Sequence, residues 1–200
     1  MKTPFNVGIT GGIGSGKSTV CDILQAMNYP VYNSDQRAKD LMESDPQIRQ
    51  SLIDAFGEKV FDHGVLNRSH LAKIIFNDPT KRDQINAIIH PAVRTDFQNW
   101  SKQQTTAIVF QESALLFETG GYQLLDFNVL VVAPIEDRIQ RVLVRDKTDL
   151  EAIQLRMNNQ LADEEKIPLA DFIIENGQHS VVLPQILLLL EKLHELTGKE

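Results

Sequence analysis

The chain has 200 residues, of which 42% are hydrophobic and 24% are charged. This composition suits one folded domain, or one domain with inserted lobes, and argues against disorder. The net charge of −7 disfavours general binding to nucleic-acid backbones, which depends on clusters of lysine and arginine.

A single cysteine, Cys21, rules out an intrachain disulfide. Its apolar neighbours predict a small core residue rather than a reactive thiol. No targeting pattern precedes Phe5, and the apolar run from Ile186 to Leu190 is too short to span a membrane. We therefore expect a cytoplasmic protein with no membrane or nucleic-acid partner.

Strand and helix patterns alternate at the start of the chain. Residues 5–10 predict a buried strand, 18–27 a helix and 31–32 a second short strand. The block 34–104 then shows almost only helical signals. Within it, one helix should end at Gly57 and another begin after an N-cap at Asn67, while Pro79 and Pro91 each suit the first turn of a helix.

The second half returns to alternation. Strands are predicted at 107–110, 127–132 and 172–174, and helices at 135–145, 149–160 and 180–196. In the last helix, one apolar stripe is formed by Leu183, Ile186, Leu187, Leu190 and Leu193. Solidly apolar strands alternating with helices predict an α/β fold whose five-stranded parallel sheet is flanked by helices.

One motif carries chemistry. Residues 11–18, GGIGSGKS, match G-x-x-x-x-G-K-[ST] between a predicted strand and a predicted helix, the context that a P-loop requires. In a P-loop the glycine-rich backbone surrounds phosphates, and the helix N-terminus adds partial positive charge. We therefore expect ATP and Mg²⁺ to bind here. The expected contacts come from Gly11, Gly12, Gly14, Ser15 and Gly16, with Lys17 on the β- and γ-phosphates, Ser18 on Mg²⁺ and Thr19 on the α-phosphate.

Two other strings resemble GTPase motifs, 80–83 (TKRD) and 54–57 (DAFG). Neither follows a predicted strand, so both are interpreted as coincidence. The order of elements instead fits a small-molecule kinase, with a helical acceptor lobe after the second strand and a later lid that supplies arginines. Arg138, Arg141 and Arg145 fall on one helix face. They could grip phosphate oxygens or form only a solvated charged face.

Asp35 follows the second predicted strand, at the carboxyl edge of the sheet where ligands of open α/β folds bind. A carboxylate there could accept the proton of an acceptor hydroxyl. The spacing alone equally allows Ser34 or Asp35 to serve as a helix N-cap.

Along nearly its whole length the sequence resembles the dephospho-coenzyme A kinase family. GITGGIGSGKSTV from Gly8 to Val20 is very close to the family's P-loop. The family's D-A-D is Asn33-Ser34-Asp35 here, so the second aspartate is kept and the first is replaced. The family's P-L-L-F-E is 114–118, with Ala114 in place of proline, and its H-P is His90-Pro91.

Further family motifs follow in order: R-x-x-x-R-D at 141–146, R-[IM]-x-x-Q at 156–160 and N-x-G near Asn176-Gly177. The resemblance implies that Asp35 is the base that takes the proton of the ribose 3′-hydroxyl of dephospho-CoA. It also implies catalytic Lys17, Arg141 and Arg145, an acceptor contact from His90 and an adenine contact near Asn176.

The implied organisation is a single P-loop kinase unit. Its nucleotide-binding core would comprise 1–33, 105–134 and 162–200, its helical acceptor lobe 34–104 and its small helical lid 135–161. Two other functions remain open: a kinase of a nucleoside or nucleotide acceptor, and a nucleotide-gated binding protein with little chemistry. The sequence leaves the choice between monomer and homo-oligomer undecided.

Overall fold

A computed structural model describes residues 3–76 and 78–198 of the chain. Residue contacts divide it into two compact units, one formed by Met1–Asn33 with Ser101–Glu200 and the other by Ser34–Trp100. The first unit contains β1 (Phe5–Thr10), α1 (Lys17–Ala26), β2 (Val31–Asn33), β5 (Ile108–Glu112), β6 (Phe127–Val132), α6 (Ile135–Asp146), α7 (Leu150–Met157), α8 (Asp163–Lys166), β7 (Phe172–Glu175) and α9 (Val182–Thr197). The second contains α2 (Ser34–Ser44), α3 (Pro46–Phe56), β3 (Phe61–Asp62), β4 (Val65–Leu66), α4 (Arg68–Phe76) and all but the last two residues of α5 (Pro79–Lys102).

The main sheet confirms the predicted five parallel strands, in the order β2-β5-β1-β6-β7. Alternate residues of the strands, such as Val7 and Ile9 of β1, join one buried cluster with α1 and α9. The central strand β1 lies between β5 and β6, and the chain order changes direction at this strand. In such sheets, the carboxyl end of the strand at the change of direction is the usual ligand position.

The second unit is mainly helical, and two of its helix ends, at Asn67 and Gly57, lie where the sequence predicted them. Asn67 Oδ1 accepts the His70 amide hydrogen at 3.0 Å, which confirms Asn67 as a cap. α3 ends at Phe56, directly before Gly57 at φ 86°. Asp45 caps the start of α3 with hydrogen bonds from the amides of Gln47 and Ile48.

The block predicted to be almost only helical also contains one short hairpin. β3 and β4 pair antiparallel as a small hairpin. Its two central residues, His63 and Gly64, have φ of 45° and 87°, the paired left-handed conformations that join short strands tightly. Strands of two residues are too short to show a periodic pattern, so the sequence gives little sign of them.

Pro91 does not begin a helix, contrary to the prediction, because it lies inside the 24-residue α5. Proline removes one intrahelical hydrogen bond and crowds the preceding turn. A buried stripe runs past it through Ile85, Ile89, Val93 and Phe97, spaced at four residues so that they share one helix face. We attribute the continuity of α5 to the packing of this stripe, which offsets the local cost of the proline.

The predicted stripe of α9 was only partly right. Ile186, Leu190 and Leu193 are buried, but Leu183 and Leu187 are 48% and 50% exposed, and Leu189 is fully buried instead. The buried face is therefore rotated toward Leu189. Among the described residues, α9 included, the structure contains no helix long and apolar enough to cross a membrane.

The Cys21 thiol provides a test of the core. Burial, reinforced by the negative charge of Glu112, raises the pKa of Cys21 to about 12. An exposed cysteine has a pKa of about 8.5 and therefore reacts faster between pH 7 and pH 9 as its thiolate forms. We expect native protein to show no reaction with an aromatic disulfide reagent over this range. Unfolding in urea should release one reactive thiol per chain; stoichiometric labelling of the native protein within minutes would contradict the burial.

Candidate active site

The P-loop occupies the carboxyl end of β1 and leads directly into α1. Gly16, the N-cap residue of α1, has left-handed φ and ψ of 95° and 25° and, being glycine, offers no side-chain cap. An uncapped helix start presents amide hydrogens and partial positive charge to any ligand in front of it. The side chains of Ser18 and Thr19 are exposed in the first turn. This end of α1 can therefore receive an anion.

Lys17 folds back over the loop. It is 9% exposed, and its Nζ donates to the carbonyl oxygen of Gly11 at 2.8 Å and to that of Gly12 at 3.4 Å. The Ser15 amide closes a tight turn on the same Gly12 carbonyl at 3.1 Å. The ammonium group thus lies against the P-loop, where an arriving phosphate would meet it.

The other outer carbonyls of the loop are held by side chains that are remote in sequence. Their donors come from α6 and from the loop after β7. The contacts are Arg138 Nε to Ile13 O (3.0 Å), Arg141 Nη1 to Gly14 O (3.3 Å) and Ser15 O (3.4 Å), and Asn176 Nδ2 to Ser15 O (2.9 Å). Arg141 Nη2 also donates to the Asn176 carbonyl at 2.7 Å, which links two of these donor residues to each other. We call the loop held by Arg138, Arg141 and Asn176 the braced P-loop.

The close packing of Arg138 and Asn176 against the P-loop explains why the loop needs glycine at several positions. A Cβ on Gly12 would overlap the Arg138 guanidinium, and one on Gly14 would overlap the Arg138 backbone carbonyl. At Gly16 the overlap would be with the Asn176 amide. Gly14 and Gly16 also have positive φ, which other residues adopt at a cost. The glycines therefore allow the loop to be enclosed from outside as well as to approach a ligand.

The three arginines of α6 share a face as predicted, but they contact different partners. Arg138 is buried on the loop, where it also pairs with Asp163 at 3.3 Å. This excludes the alternative of a purely solvated face. Arg145, 60% exposed, donates instead to Asp146 at 2.7 Å. Arg156 pairs with the same carboxylate at 2.7 Å, and the hydrogen bond from Arg145 holds the pKa of Asp146 below its usual range.

Two predicted residues lie in the second unit. Asp35 is in the first turn of α2, which begins directly after β2. His90 lies within α5, where burial and then the charge of Arg94 lower its pKa, so the neutral imidazole is favoured near pH 7. In the same unit Arg37 holds Asp96 with two hydrogen bonds of 3.0 and 2.8 Å.

Glu112 is a candidate site residue that the sequence patterns did not predict. This carboxylate ends β5, is 8% exposed, and is paired in register with Ile9 of β1 and with Asn33 of β2. Asn33 Nδ2 donates to its Oε2 at 2.6 Å. The available signal was an apolar strand that ends in an acid beside the strand carrying the P-loop. Arg138 and Gln160 were also missed as loop contacts, since sequence spacing cannot show which carbonyl a side chain reaches.

A glycine pair tests the enclosed loop. Gly14→Ala should destabilise the protein and abolish measurable ADP binding, because the new Cβ meets the α6 backbone and φ is +77°. Gly120→Ala is the matched control, since Gly120 has φ of +67° but no atom within 4 Å of an added Cβ. It should cost only about 1 kcal/mol of unfolding free energy. Equal thermal midpoints and ADP affinities in the two variants would refute the packing argument.

The matches to known proteins extend over nearly the whole chain. A family model described as Dephospho-CoA kinase matches residues 5–181. A Bacteroides fragilis protein named Dephospho-CoA kinase is 43% identical over 192 residues, which cover 96% of this chain and 94% of that protein. A crystal structure from Thermus thermophilus superposes with a TM-score of 0.83 at 35% identity, covering 96% of this chain and 97% of the other.

A structure of dephospho-CoA kinase from Campylobacter jejuni superposes with a TM-score of 0.67 at 25% identity, again over 96% of this chain and 97% of the other. The family model and the relative each extend far beyond the P-loop. Together with the braced loop at the end of β1, they show that this chain belongs to the dephospho-CoA kinase family.

Proposed function

We propose that this chain transfers the γ-phosphoryl group of ATP to the ribose 3′-hydroxyl of dephospho-CoA, giving ADP and CoA. The observation that carries the proposal is the braced P-loop at the uncapped start of α1, in a chain that matches this kinase family over residues 5–181. Phosphoryl transfer requires mainly positioning and charge stabilisation, which such a loop supplies.

ATP is expected to lie with its phosphates over the P-loop. The loop amides and the α1 terminus bind the phosphate oxygens, and Lys17 moves from the Gly11 carbonyl to the β- and γ-phosphates. Thr19, exposed in the first turn, reaches the α-phosphate. The family resemblance implies an adenine contact near Asn176, whose side chain packs against Gly16 of the loop.

The residues around the loop suit Mg²⁺. The Ser18 hydroxyl is exposed at the start of α1, and Glu112 provides a nearly buried carboxylate at the end of the strand beside β1. Oxygen donors of this kind are those that Mg²⁺ prefers, together with phosphate oxygens and water. When bound, the ion would neutralise charge on the β- and γ-phosphates.

In the reaction, the Asp35 carboxylate accepts the proton of the 3′-hydroxyl while the bond from this oxygen to the γ-phosphorus forms. The bond from that phosphorus to the β–γ bridging oxygen breaks, and ADP leaves. Arg141 fixes the loop, and Arg145 offsets charge on the moving phosphoryl group. The unit Ser34–Trp100 binds the acceptor, with His90 as a neutral hydrogen-bonding group, and residues 135–161 form the lid.

The acceptor is tested by ADP release from purified protein with ATP and Mg²⁺. Dephospho-CoA, adenosine, AMP and no acceptor are compared in parallel. We expect ADP only with dephospho-CoA, and one CoA formed for each ADP. Turnover of adenosine or AMP instead would reject the family's substrate for this chain. Release with no acceptor at all would indicate a nucleotide hydrolase or switch.

The base is tested by Asp35→Asn. Turnover should fall by about two to four orders of magnitude, the usual contribution of general acid–base catalysis, while ADP affinity stays within about twofold because the P-loop is untouched. Asp40→Asn, on the same helix α2 and half-exposed, is the matched control and should retain full turnover. A rate for Asp35→Asn close to that of the control would remove Asp35 from the mechanism.

A further inference from the structure

Gln160 forms a bridge that the reaction scheme does not use. It follows the end of α7, and its carboxamide makes two hydrogen bonds to backbone groups far away in sequence. Its Oε1 accepts the Ile13 amide hydrogen at 2.8 Å, and its Nε2 donates to the Ala114 carbonyl at 3.0 Å. One side chain thereby connects the P-loop to the loop that follows β5.

Ile13 is held at both of its backbone groups. While Gln160 accepts from its amide, Arg138 Nε donates to its carbonyl at 3.0 Å. The same Arg138 pairs with Asp163 at 3.3 Å, three residues beyond Gln160. The two ends of the segment α6–α7 therefore converge on a single residue of the P-loop.

The chain after Gln160 is firmly fixed. The Leu161 amide donates to Glu118 Oε1 at 3.0 Å. The fully buried Lys166 places its ammonium 3.0 Å from the same oxygen, although the pair is not aligned as a hydrogen bond. A buried ion pair holds its partners together because separating them would leave a charge without compensation. The chain that directly follows Gln160 is therefore anchored to Glu118.

We propose that Gln160 is a positioning residue for ATP, setting the place of Ile13 and hence the shape of the P-loop around the phosphates. A primary carboxamide is suited to this task because it supplies one acceptor and one donor at the same time. A carboxylate would lose the donor to Ala114, and an apolar chain would lose both bonds. The inference rests on the proposed use of the P-loop for ATP, and small shifts of a phosphate-binding group cost rate steeply.

The test compares Gln160→Met, which keeps the length of the side chain and removes both hydrogen bonds, with wild-type protein. The matched control is Gln154→Met on α7, whose carboxamide is exposed and bonds only Asn158 among the described contacts. Binding of ADP and of dephospho-CoA is measured separately by calorimetry, and kcat/KM is measured for each substrate.

In Gln160→Met we expect ADP affinity to fall about tenfold, because a loop that is no longer held at Ile13 must be ordered when the phosphates bind. We expect kcat/KM for ATP to fall ten- to a hundredfold, with dephospho-CoA affinity within about twofold and Gln154→Met unchanged. Wild-type ADP affinity in Gln160→Met would overturn the proposal. So would a parallel loss of both affinities with a lowered thermal midpoint, which indicates a merely structural role. A wrong acceptor assignment can be distinguished from a wrong role for Gln160, because ADP binding is measured without turnover.

Discussion

The site depends on the satisfaction of the P-loop's outer carbonyl groups. A loop that turns amides toward an anion leaves carbonyl oxygens on its other side, and buried carbonyls need donors. Here the donors are the side chains of Lys17, Arg138, Arg141 and Asn176. Three of them lie more than a hundred residues away in sequence, so the motif sets the local conformation and the rest of the unit holds it.

Both departures from the family pattern lie at residues whose polar groups are hydrogen-bonded. Where the family has an aspartate, Asn33 donates its amide to the buried Glu112 at 2.6 Å. Two carboxylates at that distance could not both be ionised, so an amide suits an acidic neighbour. Where the family has proline, the carbonyl of Ala114 is held by Gln160 at 3.0 Å. The acceptor is a backbone carbonyl, so any residue at 114, proline included, could accept this hydrogen bond.

Sequence patterns predicted the parts of the fold that local chemistry decides. The apolar strands, the Asn67 cap and the stop at Gly57 each follow from a few neighbouring residues. Pro91 and Leu187 were misjudged because their places depend on packing across the unit, which no short window contains. The P-loop contacts divide in the same way: glycine spacing predicted the loop, whereas only the folded chain shows that Arg138 and Asn176 enclose it.

The arginines of α6 differ in how readily they could reach a phosphoryl group. Arg138 is buried and bonded to Ile13 and Asp163, so moving it would leave buried polar groups unsatisfied, which is costly. Arg145 is 60% exposed and paired with Asp146 at the surface, and such pairs contribute only about 0–1 kcal/mol. Exchanging that carboxylate for a phosphate oxygen would therefore cost little. Electrostatics thus favour Arg145 as the mobile cation of the proposed reaction and Arg138 as a fixed part of the loop's frame.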